Sequence, residues 1–112
     1  MALAITITDV DTGTGNIYVF GTLTPSGSYA TGGDTLDFTT VAAQIGASQT
    51  PVQLWVGGTT ADLFAWIPGS ALSNGKIKIS TASATELAAG TYPARISGDT
   101  NIQFEAAFRK LL

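Results

Sequence analysis

The stretch Pro51–Ser80, PVQLWVGGTTADLFAWIPGSALSNGKIKIS, decides the fold class, because its side chains change character at every second position in three separate runs. A period of two is typical of β-strands, and it predicts strands at Pro51–Val56, Asp62–Ile67 and Lys76–Ser80. The Asn74–Gly75 pair before the third run is a strong hairpin signal, since both residue types tolerate the backbone angles of a tight turn. We therefore predict that the three segments form an antiparallel meander.

The same pattern continues toward both ends of the chain. Leu3–Val10 and Ile17–Thr24 predict two strands joined by a turn, and Ile102–Leu111 predicts the last strand. Tyr18 and Phe20 share one side of the second predicted strand. Aromatic residues there predict that this side is covered, like the aliphatic side.

The remaining segments are shorter or less regular. Gly, Ser and Thr dominate Pro25–Asp37, which predicts a long loop, and Tyr92–Ser97 predicts a short strand. Phe38–Ile45 and Ala82–Ala89 favour short helical turns. About seven strands with one or two helical turns predict an all-β fold, an antiparallel β-sandwich or small barrel. No break in composition divides residues 1–112, so we predict a single β-rich domain.

The composition excludes several kinds of chemistry. The 112 residues include no Cys and no His. Disulfides, Ser-His-Asp triads and the usual zinc and non-haem iron sites are therefore excluded. We predict a non-enzymatic protein with no catalytic residues, no metal site and no cofactor.

The charge of the chain bears on its partners. Only 12% of residues are charged, against roughly 25% in an average protein. A low charge favours a protein that works in an assembly, although a Thr-rich soluble surface explains it equally well. The basic residues form no stripe, so nucleic acid is not an expected partner. No apolar run approaches the ~20 residues that cross a bilayer, so we predict no membrane partner. The N-terminus does not resemble a signal peptide, which predicts synthesis in a cytoplasm.

Two sets of carboxylates are weighed as sites. Alternating oxygens in Asp9–Asn16 could hold Ca²⁺, but an Asx-type turn between two strands explains the same residues. Asp34, Asp37 and Asp62 could supply a catalytic pair, but each stands where turns and helix caps favour Asp. We predict the structural role for both sets.

Aromatic residues form a third candidate site. Trp55 and Trp66 lie on matching sides of strands that we predict to be neighbours, and Tyr29 belongs to a loop that could join them. An exposed group of this kind would suit sugar stacking or a protein interface. Burial in a second core layer is the alternative. Tyr18 and Tyr92 complete the aromatic set.

Several segments resemble small virion proteins of tailed phages. In the run Gly21–Leu36, GTLTPSGSYATGGDTL, a strand leads into a Ser-x-Tyr-x-Thr-Gly-Gly-Asp loop, as it does in those proteins. The hairpin Asn74–Ile79 and the closing strand Phe104–Arg109 are also similar. This chain lacks the long Pro/Ala-rich N-terminal arm of the trimeric lambda-type decoration proteins.

The resemblance implies a capsid decoration, or cement, protein. Such a protein binds the outside of the expanded head and reinforces it. The implied partner is the major capsid protein, the implied state is a homo-oligomer, and the implied location is the capsid surface of the virion. Ala2–Thr8 and Phe104–Leu112 are candidate free edges for pairing with a capsid strand. Leu111 and Leu112 form an apolar pair that we expect to dock on a partner.

Other functions remain open at this point. A carbohydrate-binding β-sandwich would use Trp55, Trp66 and Tyr29 as its platform. Another virion component, such as a tail or fibre protein, would share the same composition. Either reading keeps the prediction that the protein acts by binding rather than by catalysis.

Overall fold

Antiparallel strands make up most of the structure, a computed structural model that describes residues 3–110. Within that range the strands are β1 (Ala4–Thr12), β2 (Asn16–Thr24), β3 (Ser28–Tyr29), β4 (Asp34–Leu36), β5 (Gln53–Gly57), β6 (Leu63–Ile67), β7 (Gly75–Ser80), β8 (Gly90–Thr91) and β9 (Ile102–Arg109). A 3₁₀ turn at Phe38–Val41 leads into helix α1 (Ala42–Ile45), and helix α2 (Ala94–Ser97) precedes β9. No helix within residues 3–110 is long and apolar enough to cross a membrane.

Two antiparallel sheets organise these strands. The large sheet has the order β1-β2-β9-β5, and the small sheet has the order β4-β7-β6. The two-residue strands β3 and β8 pair only with each other. Both sheets contribute their inner sides to one hydrophobic core, so the mainly β antiparallel fold is confirmed and is consistent with a small β-sandwich.

The alternation of side chains explains why both sheets bury one side. On β2 and β9, Val19, Phe104 and Phe108 point inward and are almost completely buried. On β7, Ile77 and Ile79 are equally buried. Burying a side chain of this size stabilises the fold by ~1.5–3 kcal/mol before entropy is subtracted. The core therefore depends mainly on the central strands of the two sheets.

Close packing in the large sheet requires glycine at position 21. A Cβ atom there would lie 2.1 Å from the backbone oxygen of Thr6 and 2.8 Å from the ring of Phe104. Both distances are shorter than any real Cβ contact. The Phe104 ring therefore occupies the space that a side chain at Gly21 would fill, and it also packs edge-on against Phe38 with the ring centroids 5.8 Å apart.

A β-bulge interrupts the first strand. The pairing of β1 with β2 shifts register between Ile7 and Asp9, so Thr8 has no direct partner across the pair. The Thr8 hydroxyl donates a hydrogen bond to the backbone oxygen of Phe20 over 3.1 Å. The bulge is thus held by its own side chain.

The predicted meander at Pro51–Ser80 is wrong. Its first strand, β5, pairs with β9 in the large sheet, whereas β6 and β7 form a hairpin in the small sheet. Alternation identifies a strand but carries no information about its partner. Here the partner of β5 comes from the far end of the chain, and the connection between β5 and β6 crosses from one sheet to the other.

Three shorter predictions also need correction. The predicted loop Pro25–Asp37 includes β3 and β4, which are too short to show a period. Tyr92–Ser97 does not form a strand: Pro93 precedes helix α2, and proline favours a helix start because its φ angle is already helical. Ala82–Ala89 includes no helix; the chain turns there at Ala84, with φ of 68°, and bridges Ser80 to Glu86.

Candidate interaction faces

The outer side of the large sheet presents aromatic rings to solvent. We call it the aromatic face, and it consists of Asp9, Asp11, Tyr18, Phe20, Gln53, Trp55, Gln103, Glu105 and Ala107. The strand register places Asp9, Phe20, Glu105 and Trp55 in one row across the four strands. The next row is Asp11, Tyr18, Ala107 and Gln53. Rings and carboxylates therefore alternate along the first row, and the second row places one carboxylate beside one ring.

Trp55 is the most exposed large side chain of the aromatic face. It is 59% exposed, and Tyr18 is 40% exposed. Alternation explains the orientation, because Leu54 and Val56 on the same strand pack on or in the core and leave Trp55 on the outer side. Gly57 lets the indole lie along the strand, since a Cβ atom there would be 2.8 Å from the ring. Trp55 and Glu105 both line each of two open depressions of about 370 and 380 Å³.

The carboxylates of the aromatic face have no counterion among the residues that the structure describes. Asp9, Asp11 and Glu105 make no ion pair within residues 3–110, where Arg95 and Asp62 form the single salt bridge. The nearest base in the register is Arg109, opposite Asn16, at the end of the sheet beyond Tyr18. The face therefore combines apolar rings with a negative charge.

The outer side of the small sheet has the opposite charge. We call it the basic face, and it consists of Thr35, Leu63, Ala65, Ile67, Lys76, Lys78 and Ser80. Leu63 is 51% exposed and Ile67 is 39% exposed. Across the pair of strands, Lys78 lies opposite Ala65 and Lys76 lies opposite Ile67. Two ammonium groups thus flank an aliphatic stripe.

The predicted platform of Trp55, Trp66 and Tyr29 is not assembled. Trp66 lies on β6 of the small sheet, half-buried against the core, whereas Trp55 lies on the outer side of the large sheet. Tyr29 is only 2% exposed. The two tryptophans were expected on neighbouring strands, and that expectation fails with the meander. The prediction that Tyr18 is covered is also wrong within this chain. The sequence did not reveal that Tyr18 and Trp55 share one face, because that depends on strand order.

Tyr29 instead holds two loops together. Its hydroxyl donates a hydrogen bond to Oε2 of Glu86 over 2.8 Å and accepts one from the backbone N–H of Ile79 over 3.1 Å. Burial raises the pKa of Tyr29 to about 12. The same Glu86 oxygen accepts a hydrogen bond from the backbone N–H of Gly32, which lowers the pKa of Glu86. The Tyr29 side chain therefore has a structural role in this fold.

The three carboxylates considered as a source of a catalytic pair each have a separate structural partner. Asp34 is almost fully buried, and one of its oxygens accepts a hydrogen bond from the Ala30 backbone while burial raises its pKa. Asp37 caps the 3₁₀ turn by accepting from the backbone N–H of Thr39. Asp62 is held by Arg95 through both of its oxygens, and this contact lowers the pKa of Asp62. Residues 3–110 include no group of three metal-ligating side chains placed to hold an ion.

The Asp9–Asn16 run is divided between a strand and a turn. Asp9 and Asp11 belong to β1, which continues to Thr12. The turn is closed by a backbone hydrogen bond of 2.8 Å from the N–H of Gly13 to the oxygen of Asn16. The two carboxylates therefore project from a sheet and not from the loop on which a calcium site would depend.

The predicted free edges are only half right. β1 forms one edge of the large sheet, as expected for Ala2–Thr8, and its outer side pairs with no strand of residues 3–110. β9 lies between β2 and β5, so Phe104–Arg109 offers no free edge. Leu111 and Leu112 lie outside the described residues.

Comparison with known proteins adds no relative. No protein-family model, curated protein or solved structure matches this chain. Functional conclusions therefore depend on the physical character of the two faces and of the β1 edge.

Proposed function

We propose that this protein is a non-enzymatic structural protein of a tailed phage, a head decoration protein that binds and stabilises the capsid. The observation that carries the proposal is the apolar surface left open on both sheets, at Trp55 on one and at Leu63 and Ile67 on the other. Open apolar surface of this kind marks sites where another protein binds. With only 12% of its residues charged, the chain suits close packing in an assembly.

The β1 edge is the surface that we propose for the shell. It spans Ala4–Thr12, and its free side can accept a strand from another protein through backbone hydrogen bonds. Such a contact is made by backbone groups and needs no special side chains. A strand of the major capsid protein is the proposed partner.

The test is co-sedimentation of the purified protein with expanded shells of the major capsid protein. Saturable binding at a fixed number of copies per capsomer, with shells that withstand higher temperature, is the expected result. Ala4→Lys places a charge on the free edge and should weaken binding at least tenfold. Thr24→Lys is the matched control, because Thr24 lies directly opposite Ala4 on the inner neighbour β2. Shells that bind no protein contradict the proposal. Shells that bind both variants as tightly as the wild type contradict the edge contact.

A carbohydrate-binding role is the second candidate, and one observation favours it. Amide side chains of Gln53 and Gln103 lie beside the exposed indole of Trp55, and Gln103 is oriented by a 3.0 Å hydrogen bond to Asn101. An aromatic ring with neighbouring amides is typical of sugar recognition. Saturable binding on a glycan array that Trp55→Ala abolishes and Val52→Ala preserves would support this role. Absence of binding at millimolar oligosaccharide rejects it.

A further inference from the structure

The carboxylates of this chain fall into two groups. Of the eight Asp and Glu residues, five are engaged by hydrogen bonds or an ion pair inside the fold, namely Asp34, Asp37, Asp62, Glu86 and Asp99. The other three all lie on the aromatic face and make no ion pair within residues 3–110, although Arg109 lies on the same side of the sheet, one row beyond Tyr18 and Ala107. Unpaired carboxylates beside exposed rings favour a partner that is apolar and positively charged.

The chain itself carries a surface of that description. Lys76 and Lys78 project from β7 beside the exposed Leu63, Ala65 and Ile67 of β6. Lys76 makes no ion pair within residues 3–110, and Lys78 acts on Glu86 only through its charge. Like the aromatic face, the basic face therefore carries charged side chains without ion pairs in this part of the chain, but its charge is positive.

The two faces also match in shape. Each is the outer side of an antiparallel sheet, and two sheet faces stack ~10 Å apart with their side chains interlocked. Rings of Trp55 and Tyr18 would meet the aliphatic stripe, while Glu105 and Asp9 would approach the two lysines. This pairing would cover the exposed Trp55 and Tyr18 of one sheet and the exposed Leu63 and Ile67 of the other.

We infer that the aromatic face of one copy binds the basic face of the next copy. The contact joins two different surfaces, so each bound copy still has one free face. Assembly therefore continues as a ring if the rotation between copies closes, and as a filament if it does not. This contact does not require the proposed function. If the protein decorates a phage shell, the contact links neighbouring copies there.

Charge reversal on one face at a time tests the inference. Purified wild-type protein is expected to form oligomers that grow with concentration and dissociate as salt rises, measured by sedimentation velocity. Glu105→Lys damages only the aromatic face, and Lys76→Glu damages only the basic face. Each variant alone should associate at least tenfold more weakly. Lys110→Glu makes the same charge change at the end of β9, away from the basic face, and should assemble like the wild type.

Mixing the two damaged variants distinguishes this contact from a symmetric one. Each variant retains the face that the other lacks, and the two damaged faces carry exchanged charges that are again complementary, so the mixture is expected to form oligomers that neither variant forms alone. The chain with both substitutions should recover oligomers, because its charges are exchanged and still complementary. Circular dichroism and the melting temperature confirm that each variant is folded.

Three results would overturn the inference: a wild-type protein that stays monomeric at millimolar concentration, single variants that still dimerise, or a mixture without heterodimers. Loss of glycan binding on Trp55→Ala in a monomeric protein would assign the aromatic face to sugar instead. These measurements use no shells, so they are independent of the shell-binding test. Head-to-tail assembly can fail while shell binding persists, and shell binding can fail while head-to-tail assembly persists.

Discussion

Both sides of the large sheet carry large aromatic residues, but those on the inner side are buried and those on the outer side are exposed. On the inner side, Phe104 and Phe108 are buried beneath the small sheet and the 3₁₀ turn. On the outer side, Trp55 and Tyr18 stand in solvent at comparable size and hydrophobicity. The difference lies in what covers each side. The inner rings are covered by this chain, and the outer rings are not covered by residues 3–110, so aromatic content by itself does not reveal where the core is.

Removing one ring from each side should give the largest contrast in stability. Phe104→Ala leaves a cavity in the core and is expected to lower the free energy of unfolding by ~3–5 kcal/mol. Trp55→Ala removes a larger ring from the outer side and should change it by less than ~1 kcal/mol. Urea unfolding of the isolated protein at low concentration measures both. Equal losses would show that the outer ring is as important for folding as the inner one.

Glycine substitutions sharpen the same contrast within the sheet itself. Gly21→Ala forces a methyl group against the Thr6 carbonyl and the Phe104 ring, and should destabilise the fold by ~1–3 kcal/mol. Gly15→Ala is the control, because a Cβ atom at that position has no neighbour within 4 Å. A stable Gly21→Ala variant would mean that the ring moves aside at little cost.

The buried carboxyl group of Asp34 should make the stability of the fold depend on pH. Burial raises the pKa of Asp34, so folding favours its protonated form. Its contribution is fully present below the ordinary value of about 3.9 and is lost as pH rises through the raised pKa. Asp34→Asn should therefore flatten the thermal stability profile above pH 4. Identical profiles for wild type and Asp34→Asn contradict the assignment.

Asp62 should show the smaller effect with the opposite sign. The Arg95 guanidinium lowers the pKa of Asp62, so this contribution is present above the ordinary value of about 3.9 and is lost as pH falls through the lowered pKa. Arg95→Gln should reduce the loss of stability between neutral pH and acid. The matched control is Arg109→Gln, which removes an exposed base at the sheet margin. The melting temperature between pH 7 and pH 2 measures both variants.

Local patterns account for what could be predicted about this fold. β2 and β9 were predictable because eight or more residues alternate in each, with Val19 and Phe104 among the buried set. β4 was not, because three residues cannot display a period. The pairing of β5 with β9 joins residues about fifty positions apart, and no local signal encodes such a contact.

The candidate faces were partly accessible from the sequence. Trp55 is a candidate interface residue from the sequence, with burial in a second core layer as the alternative, and its predicted companions Trp66 and Tyr29 depended on the wrong strand order. The actual companion, Tyr18, is recognisable only when β2 and β5 are known to flank β9. The sequence predicts a strand that contains Leu63 and Ile67, but it does not predict which side of that strand faces water. Phe64 and Trp66 on the other side are equally apolar.

The bulge at Thr8 has a consequence for how this surface can change. Before the bulge, odd-numbered residues Ile5 and Ile7 face the interior; after it, Val10 faces the interior while Asp9 and Asp11 face outward. If Thr8 paired directly with Phe20 and the bulge were lost, Asp9 would turn toward the interior and Val10 toward water, whereas deletion of Thr8 would keep both orientations. One extra residue thus sets which side the second half of the strand presents, and the acidic border of the sheet depends on the bulge that accommodates it.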